Sequence, residues 1–202
     1  MTMSIRSVIE IRYAQIRSLD LSNGEGIGVA LFVQGCHFHC PNCFNPETWD
    51  FNSGKEWTEE VKNKFMELAN HPYIKRISIL GGEPLAEENL DDVLDLVNRI
   101  RLSSPQKSIW LYTGYKVISV DSEYGSIIFD RDNEDIIKQF TYKSVINHNK
   151  RINIASMCDV IVDGRYVDSQ RNISLSYRGS QNQRLIDVKQ SLQKGEIVLW
   201  QT

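Results

Sequence analysis

Apolar positions in this chain fall into short runs bounded by turn-forming residues, and the runs alternate between two spacings. Val29-Ala30-Leu31-Phe32-Val33 is a continuous apolar stretch of the kind that fills a strand buried on both faces. Residues 74–80, 108–112 and 158–162 are further short β-rich runs and stop at Gly81-Gly82, Thr113-Gly114 and Asp163-Gly164. Between them the period changes. Thr58, followed by Glu59, Glu60, Val61, Phe65, Met66 and Leu68, predicts a capped helix over 58–70. Leu90, Val93, Leu94, Val97 and Ile100 predict a second over 86–102. Residues 5–21 read as two extended pieces, 22–28 as a Gly-rich loop, and a helix is expected from Leu185. Two weaker strand-like pieces, 117–120 and 126–129, precede a polar, acidic stretch, which predicts a surface hairpin followed by a helix or mobile loop.

Strands alternating with helices predict an α/β fold with a mostly parallel sheet joined by right-handed crossovers. Ligands of such sheets lie at the carboxyl ends of the strands, so the segments after residues 34, 80, 112 and 162 are expected to share one edge.

Composition narrows the function classes. The 202 residues are 41% apolar and 24% charged, which suits one compact domain. A formal charge of −3 gives no general attraction to phosphate backbones or anionic membranes, so no nucleic-acid or membrane partner is expected. No apolar run approaches the roughly 18–20 residues that span a bilayer, and no secretory signal pattern opens the chain, which predicts a cytoplasmic protein. There, cysteines serve metals more readily than disulfides.

Three of the four cysteines crowd into Cys36-His37-Phe38-His39-Cys40-Pro41-Asn42-Cys43. Spacers of three and two residues let one loop fold around a single centre, and soft thiolates favour an iron–sulfur cluster or zinc over hard cations. Three thiolates would leave one iron of a [4Fe–4S] cube open. A zinc knuckle completed by His37 or His39 is the competing reading. Cys158, at the head of an apolar run, reads as a small buried hydrophobe.

The second motif is Ile79-Leu80-Gly81-Gly82-Glu83-Pro84. Two residues without a Cβ let backbone approach a ligand, and Glu83 offers an acceptor for an amino group. The same residues also serve as an ordinary tight strand-to-helix turn.

In this order, and about forty residues apart, the two motifs resemble the radical S-adenosylmethionine superfamily. The stretch 35–49, with its Cys43-Phe44-Asn45-Pro46-Glu47-Thr48-Trp49 tail, is similar to the cluster segment of activating proteins of anaerobic (class III) ribonucleoside-triphosphate reductases. So are 79–85, 110–115, 159–166 and 178–184. The resemblance implies a partial (β/α) barrel, a single radical S-adenosylmethionine domain over 1–202 with a surface insertion at about 117–151. It implies a [4Fe–4S] cluster on Cys36, Cys40 and Cys43, with S-adenosylmethionine bound to the fourth iron and its amino group positioned by Gly81, Gly82 and Glu83. Thr113 and Gly114 become ribose-side contacts, with Asp163 a further candidate at the same edge. The position before the third cysteine, apolar in most of the superfamily and against adenine, is Asn42 here, with Phe44 a substitute one place beyond Cys43.

The activity so implied is an oxidoreductase: reductive cleavage of S-adenosylmethionine, with no acid–base residue, generating a glycyl radical on the anaerobic reductase. A reducing donor such as flavodoxin supplies the electron. Trp49 and Trp57 are expected to pack behind the loop, and residues 178–184 to face the partner. Two alternatives stand: an activase of another glycyl-radical enzyme, and a non-enzymatic zinc or iron–sulfur module.

Overall fold

The computed structural model describes residues 11–130 and 142–201. Its centre is a seven-stranded sheet in the order β3-β1-β2-β4-β5-β8-β9. The parallel core consists of β2 (Gly28–Val33), β4 (Arg76–Gly81), β5 (Ser108–Thr113) and β8 (Val160–Asp163). Antiparallel strands flank it: β1 (Arg12–Asp20) pairs with β2, the two-residue β3 (Lys55–Glu56) with β1, and β9 (Arg184–Asp187) with β8. The α/β class and the parallel core are as expected. Among the described residues the strand order does not close on itself, which is compatible with a partial barrel.

Each parallel strand is apolar because both of its faces are covered. Val29, Leu31, Val33, Ile77, Ile79, Ile109, Leu111 and Ile161 point to the helical face. There they meet α1 (Glu59–Asn70), α2 (Leu90–Ser103) and α3 (Tyr142–Ser156) through Phe65, Ala69, Val93, Leu96, Val97, Ile100, Ile154 and Ala155. The alternate residues Ala30, Phe32, Leu80, Trp110, Val160, Val162 and Leu185 line the other face.

That second face also holds an ion pair with almost no exposure. Arg76 donates to Asp20 Oδ2 at 2.8 Å and to the carbonyls of Asp20, Asn23 and Glu25. A buried guanidinium needs such partners, and it ties the 20–26 loop across the sheet.

Several boundaries differ from the sequence reading. Thr58 caps α1 as predicted, its hydroxyl accepting Val61 N–H. The second helix begins at Leu90 instead of 86, because Asn89 uses its amide on the carbonyls of Gln34 and Glu83, 3.0 and 2.9 Å away. Leu185 lies not in a helix but in β9; the helix, α4 (Val188–Lys194), starts after Asp187, whose carboxylate accepts Gln190 N–H. One strand, not two pieces, covers the described part of 5–21, and residues 1–10 lie outside the described residues.

In the insertion, β6 (Val117–Asp121) and β7 (Ser126–Phe129) form the expected hairpin and α3 the expected helix, while 131–141 lie outside the described residues. The hairpin is more than a surface addition, since Val117, Ile127 and Phe129 are buried in the main core. Trp57 packs on Tyr13 and Phe65 beneath α1; of the two tryptophans, only Trp49 backs the cysteine loop, stacked on His39.

Candidate functional site

The cysteine loop leaves the end of β2 at Gly35. This residue adopts φ +92°, and a Cβ there would enter the Phe51 ring. Gly35 N–H donates to Thr48 O at 2.8 Å and Cys36 N–H to Trp49 O at 3.0 Å, closing residues 36–49 into a loop with a fixed base. Gln34, buried, reinforces that base by donating to the carbonyls of Glu47 and Asp50.

The Gly-Gly-Glu turn is hooked onto the same base. Gly82 N–H donates to Val33 O at 2.9 Å and Glu83 N–H to Gly35 O at 2.7 Å. A Cβ on Gly82 would collide with the Gly35 carbonyl, so glycine is what permits the two backbones to touch. The Glu83 side chain turns to the next strand: Oε1 accepts Thr113 Oγ1–H and Leu85 N–H, both at 2.8 Å, and Oε2 accepts Gly114 N–H at 2.7 Å. Burial pushes its pKa up to about 7 against these three bonds, which favour the charged form.

A cavity of about 410 Å³ opens between these elements, within the range of small-molecule sites. The residues Cys36, Cys40, Cys43, Phe44, Gly81, Gly82, Glu83, Thr113 and Gly114 all line it. Asn42 does not. Its backbone lies at φ +55°, a region asparagine tolerates, and its amide donates to Asp168 Oδ2 at 2.8 Å. Phe44 lies against Tyr166, ring centroids 5.1 Å apart, and against Gly179. Asp163 binds Arg184 and accepts Val117 N–H at 2.8 Å, which roots the hairpin.

The thiols suit a metal cluster. Burial, with the Glu83 carboxylate adding to it, pushes Cys36 up to about 11, and burial also raises Cys40. Both are protonated at neutral pH, so metal binding must release protons. One backbone N–H already serves a sulfur, that of Asn45, which donates to Cys43 Sγ at 3.4 Å. Both candidate zinc histidines are engaged elsewhere, His37 Nε2 3.0 Å from Glu88 and His39 on Trp49. Among the described residues no three His, Cys, Asp or Glu side chains gather closely enough to hold one metal ion. All three cysteines line one cavity, and soft thiolate ligands of this kind suit an iron–sulfur cluster.

Cys158 stays outside the site, with Sγ 3.2 Å from Ile154 O. The 178–184 segment acts largely inward: Gln183 donates to Gly164 O, Asn182 to Arg165 O, and the buried Ser180 hydroxyl accepts Val167 N–H. The sequence reading gave no site role to several cavity residues, among them Phe38, Tyr112, Arg165 and Tyr166. Phe38 lies within the cysteine motif and packs over Gly114, while Arg165 and Tyr166 directly follow a predicted strand end. The alternation of β5 would have turned Tyr112 inward with Trp110.

A family described as a 4Fe-4S single cluster domain matches residues 22–186. The anaerobic ribonucleoside-triphosphate reductase-activating protein of Escherichia coli (strain K12) is 34% identical over 175 residues, 86% of this chain and 96% of its own. This chain belongs to that activating-protein family. The member from Enterobacteria phage T4 is 34% identical over 178 residues, covering 87% of this chain and 93% of its own. The Vibrio cholerae member is 32% identical over 175 residues, 86% of this chain and 96% of its own. As in the family description, the site is one for a single [4Fe–4S] cluster. No described helix of this family member is long and apolar enough to cross a membrane.

Proposed function

We propose that this chain is a radical S-adenosylmethionine activase that generates a glycyl radical on anaerobic ribonucleotide reductase. One observation carries the reading: Cys36, Cys40 and Cys43 face the same cavity as Gly81, Gly82 and Glu83, with the two motifs joined by the Glu83 N–H to Gly35 O bond. A zinc knuckle has no use for that junction.

The chemistry supplied by the bound cluster and S-adenosylmethionine is one-electron cleavage of the sulfonium to methionine, with 5′-deoxyadenosine formed as a glycine Cα loses one hydrogen atom. The chain's own residues bind, orient and exclude water. Cys36, Cys40 and Cys43 hold three irons after losing their protons. The Gly81-Gly82 backbone meets the amino group of S-adenosylmethionine, while the Glu83 carboxylate, satisfied by three protein donors, braces that turn against Thr113 and Gly114. These two therefore act on the ribose side as a fixed wall. Phe44, which lines the cavity, would be the side chain to meet adenine, since Asn42 does not line it and donates to Asp168. Phe32, Leu80 and Val162 add apolar side chains to the cavity wall, which help to exclude water.

The substrate is a glycine of the reductase, whose missing Cβ allows close approach to the cavity. The electron comes from a cytoplasmic donor such as flavodoxin. Anaerobic reconstitution tests the cofactor assignment: a brown protein with about four irons per chain that makes 5′-deoxyadenosine on reduction. A colourless, zinc-loaded chain that leaves S-adenosylmethionine intact would overturn it.

A further inference from the structure

The cysteine loop is fixed at its base, but its far end, residues 40–44, meets a different part of the chain. Three contacts join it to the segment after β8. Asn42 Nδ2 donates to Asp168 Oδ2 at 2.8 Å. The Tyr166 hydroxyl donates to Asp168 Oδ1, also at 2.8 Å, while the Tyr166 ring packs edge-on against Phe44. The Arg171 guanidinium lies over the Phe44 ring, 5.4 Å from its centroid. Cys43 N–H donates to Cys40 O at 3.1 Å, so what holds residues 42–44 also holds Cys40. One carboxylate thus gathers a residue of the cysteine loop and the residue that packs against Phe44.

The arm that carries Tyr166 and Asp168 is itself braced. Gly164 turns it at φ +96°, Gln183 and Asn182 donate to the carbonyls of Gly164 and Arg165 at 3.0 and 2.8 Å, and Ser180 accepts Val167 N–H at 3.2 Å. A braced arm against the 40–44 end of the loop supports the ligands there, in addition to the anchors at its base and at His37, Phe38 and His39. Groups that orient metal ligands from behind typically change metal affinity by about 10–100-fold when removed.

We infer that Asn42, Asp168 and Tyr166 form a clasp that holds Cys40 and Cys43 in place and sets how slowly the loop gives up its iron. The inference rests on the cluster assignment above. It gives Asn42 a positioning role in place of an adenine contact. Asparagine suits the position twice, because it accepts the left-handed backbone and supplies the donor that Asp168 needs.

The test is release of iron from the anaerobically reconstituted full chain to excess EDTA, followed by the loss of visible cluster absorbance. N42G keeps the left-handed backbone and removes the amide, and N42D sets two carboxylates against each other. Both are expected to lose iron about 10-fold faster than wild type. The reversed pair N42D/D168N restores one donor facing one acceptor and is expected to return the rate to near the wild-type value. Melting of the iron-free proteins should not change, since the clasp lies at the surface. The inference is overturned by an N42G rate equal to wild type, or by a reversed pair as leaky as N42D. A wild-type chain that takes up no iron would bring down the cluster assignment itself.

Discussion

Glu83 and Gly114 are joined across the site by a 2.7 Å bond from the glycine N–H to Oε2, so the acid of the Gly-Gly-Glu turn faces protein. With Thr113 Oγ1 and Leu85 N–H on Oε1, the carboxylate ties the end of β4 to the end of β5. Its role is to fix the turn's backbone, which is what meets the ligand.

Replacing Glu83 therefore reaches beyond one lost contact. E83A leaves three donors in a buried space, at about 1–3 kcal/mol each. We expect a clear drop in melting temperature together with loss of S-adenosylmethionine binding by equilibrium dialysis. E83Q keeps the shape but turns an amide donor towards one of these donors, and should weaken binding while iron content stays near wild type. Full affinity in E83Q would show that the brace is dispensable.

Gly82 is where the two motifs touch. G82A must push the turn off the Gly35 carbonyl, and the expected result is poor iron retention after reconstitution and no 5′-deoxyadenosine. Gly125, in the hairpin turn at φ +62° with open space around it, is the control. G125A should cost about 1–2 kcal/mol of stability and leave iron content unchanged.

The cysteines should separate into two classes. C40S removes a ligand and is expected to abolish S-adenosylmethionine cleavage. C158S changes a thiol that burial keeps protonated, bonded to Ile154 O, and should cost about 1–2 kcal/mol while most cleavage survives. Equal loss in both variants would mean that the ligand set is wrong.

Asp20 and Arg76 both hold Asn23, which lines the cavity with Ser22. D20A leaves a guanidinium buried without its counter-charge, a loss of about 3–5 kcal/mol. Thermal unfolding of the iron-free chain should show it directly.

Much of this was legible in the sequence. The strands β2, β5 and β8 carry apolar residues on both faces and appear as short apolar runs, β4 is interrupted by Arg76 and Ser78 yet ends plainly at Gly81-Gly82, and these ends placed both motifs on one edge. The Thr58 cap was readable because a cap acts within three residues. What escaped depends on distant partners. Residues 185–187 carry no period long enough to separate a strand from the first turn of a helix. Asn89 resembles part of a helix until its amide is seen to reach Gln34. Asn42 was expected near adenine because of its place beside Cys43, and nothing local reveals that it finds Asp168, 126 residues away.

The most direct test of the central claim is electron paramagnetic resonance of the anaerobic reductase after incubation with this chain, S-adenosylmethionine and a reductant. A glycyl radical signal on the reductase is expected, accompanied by 5′-deoxyadenosine and absent with C40S. An intact, reducible cluster that cleaves S-adenosylmethionine yet leaves the reductase without a radical would contradict it.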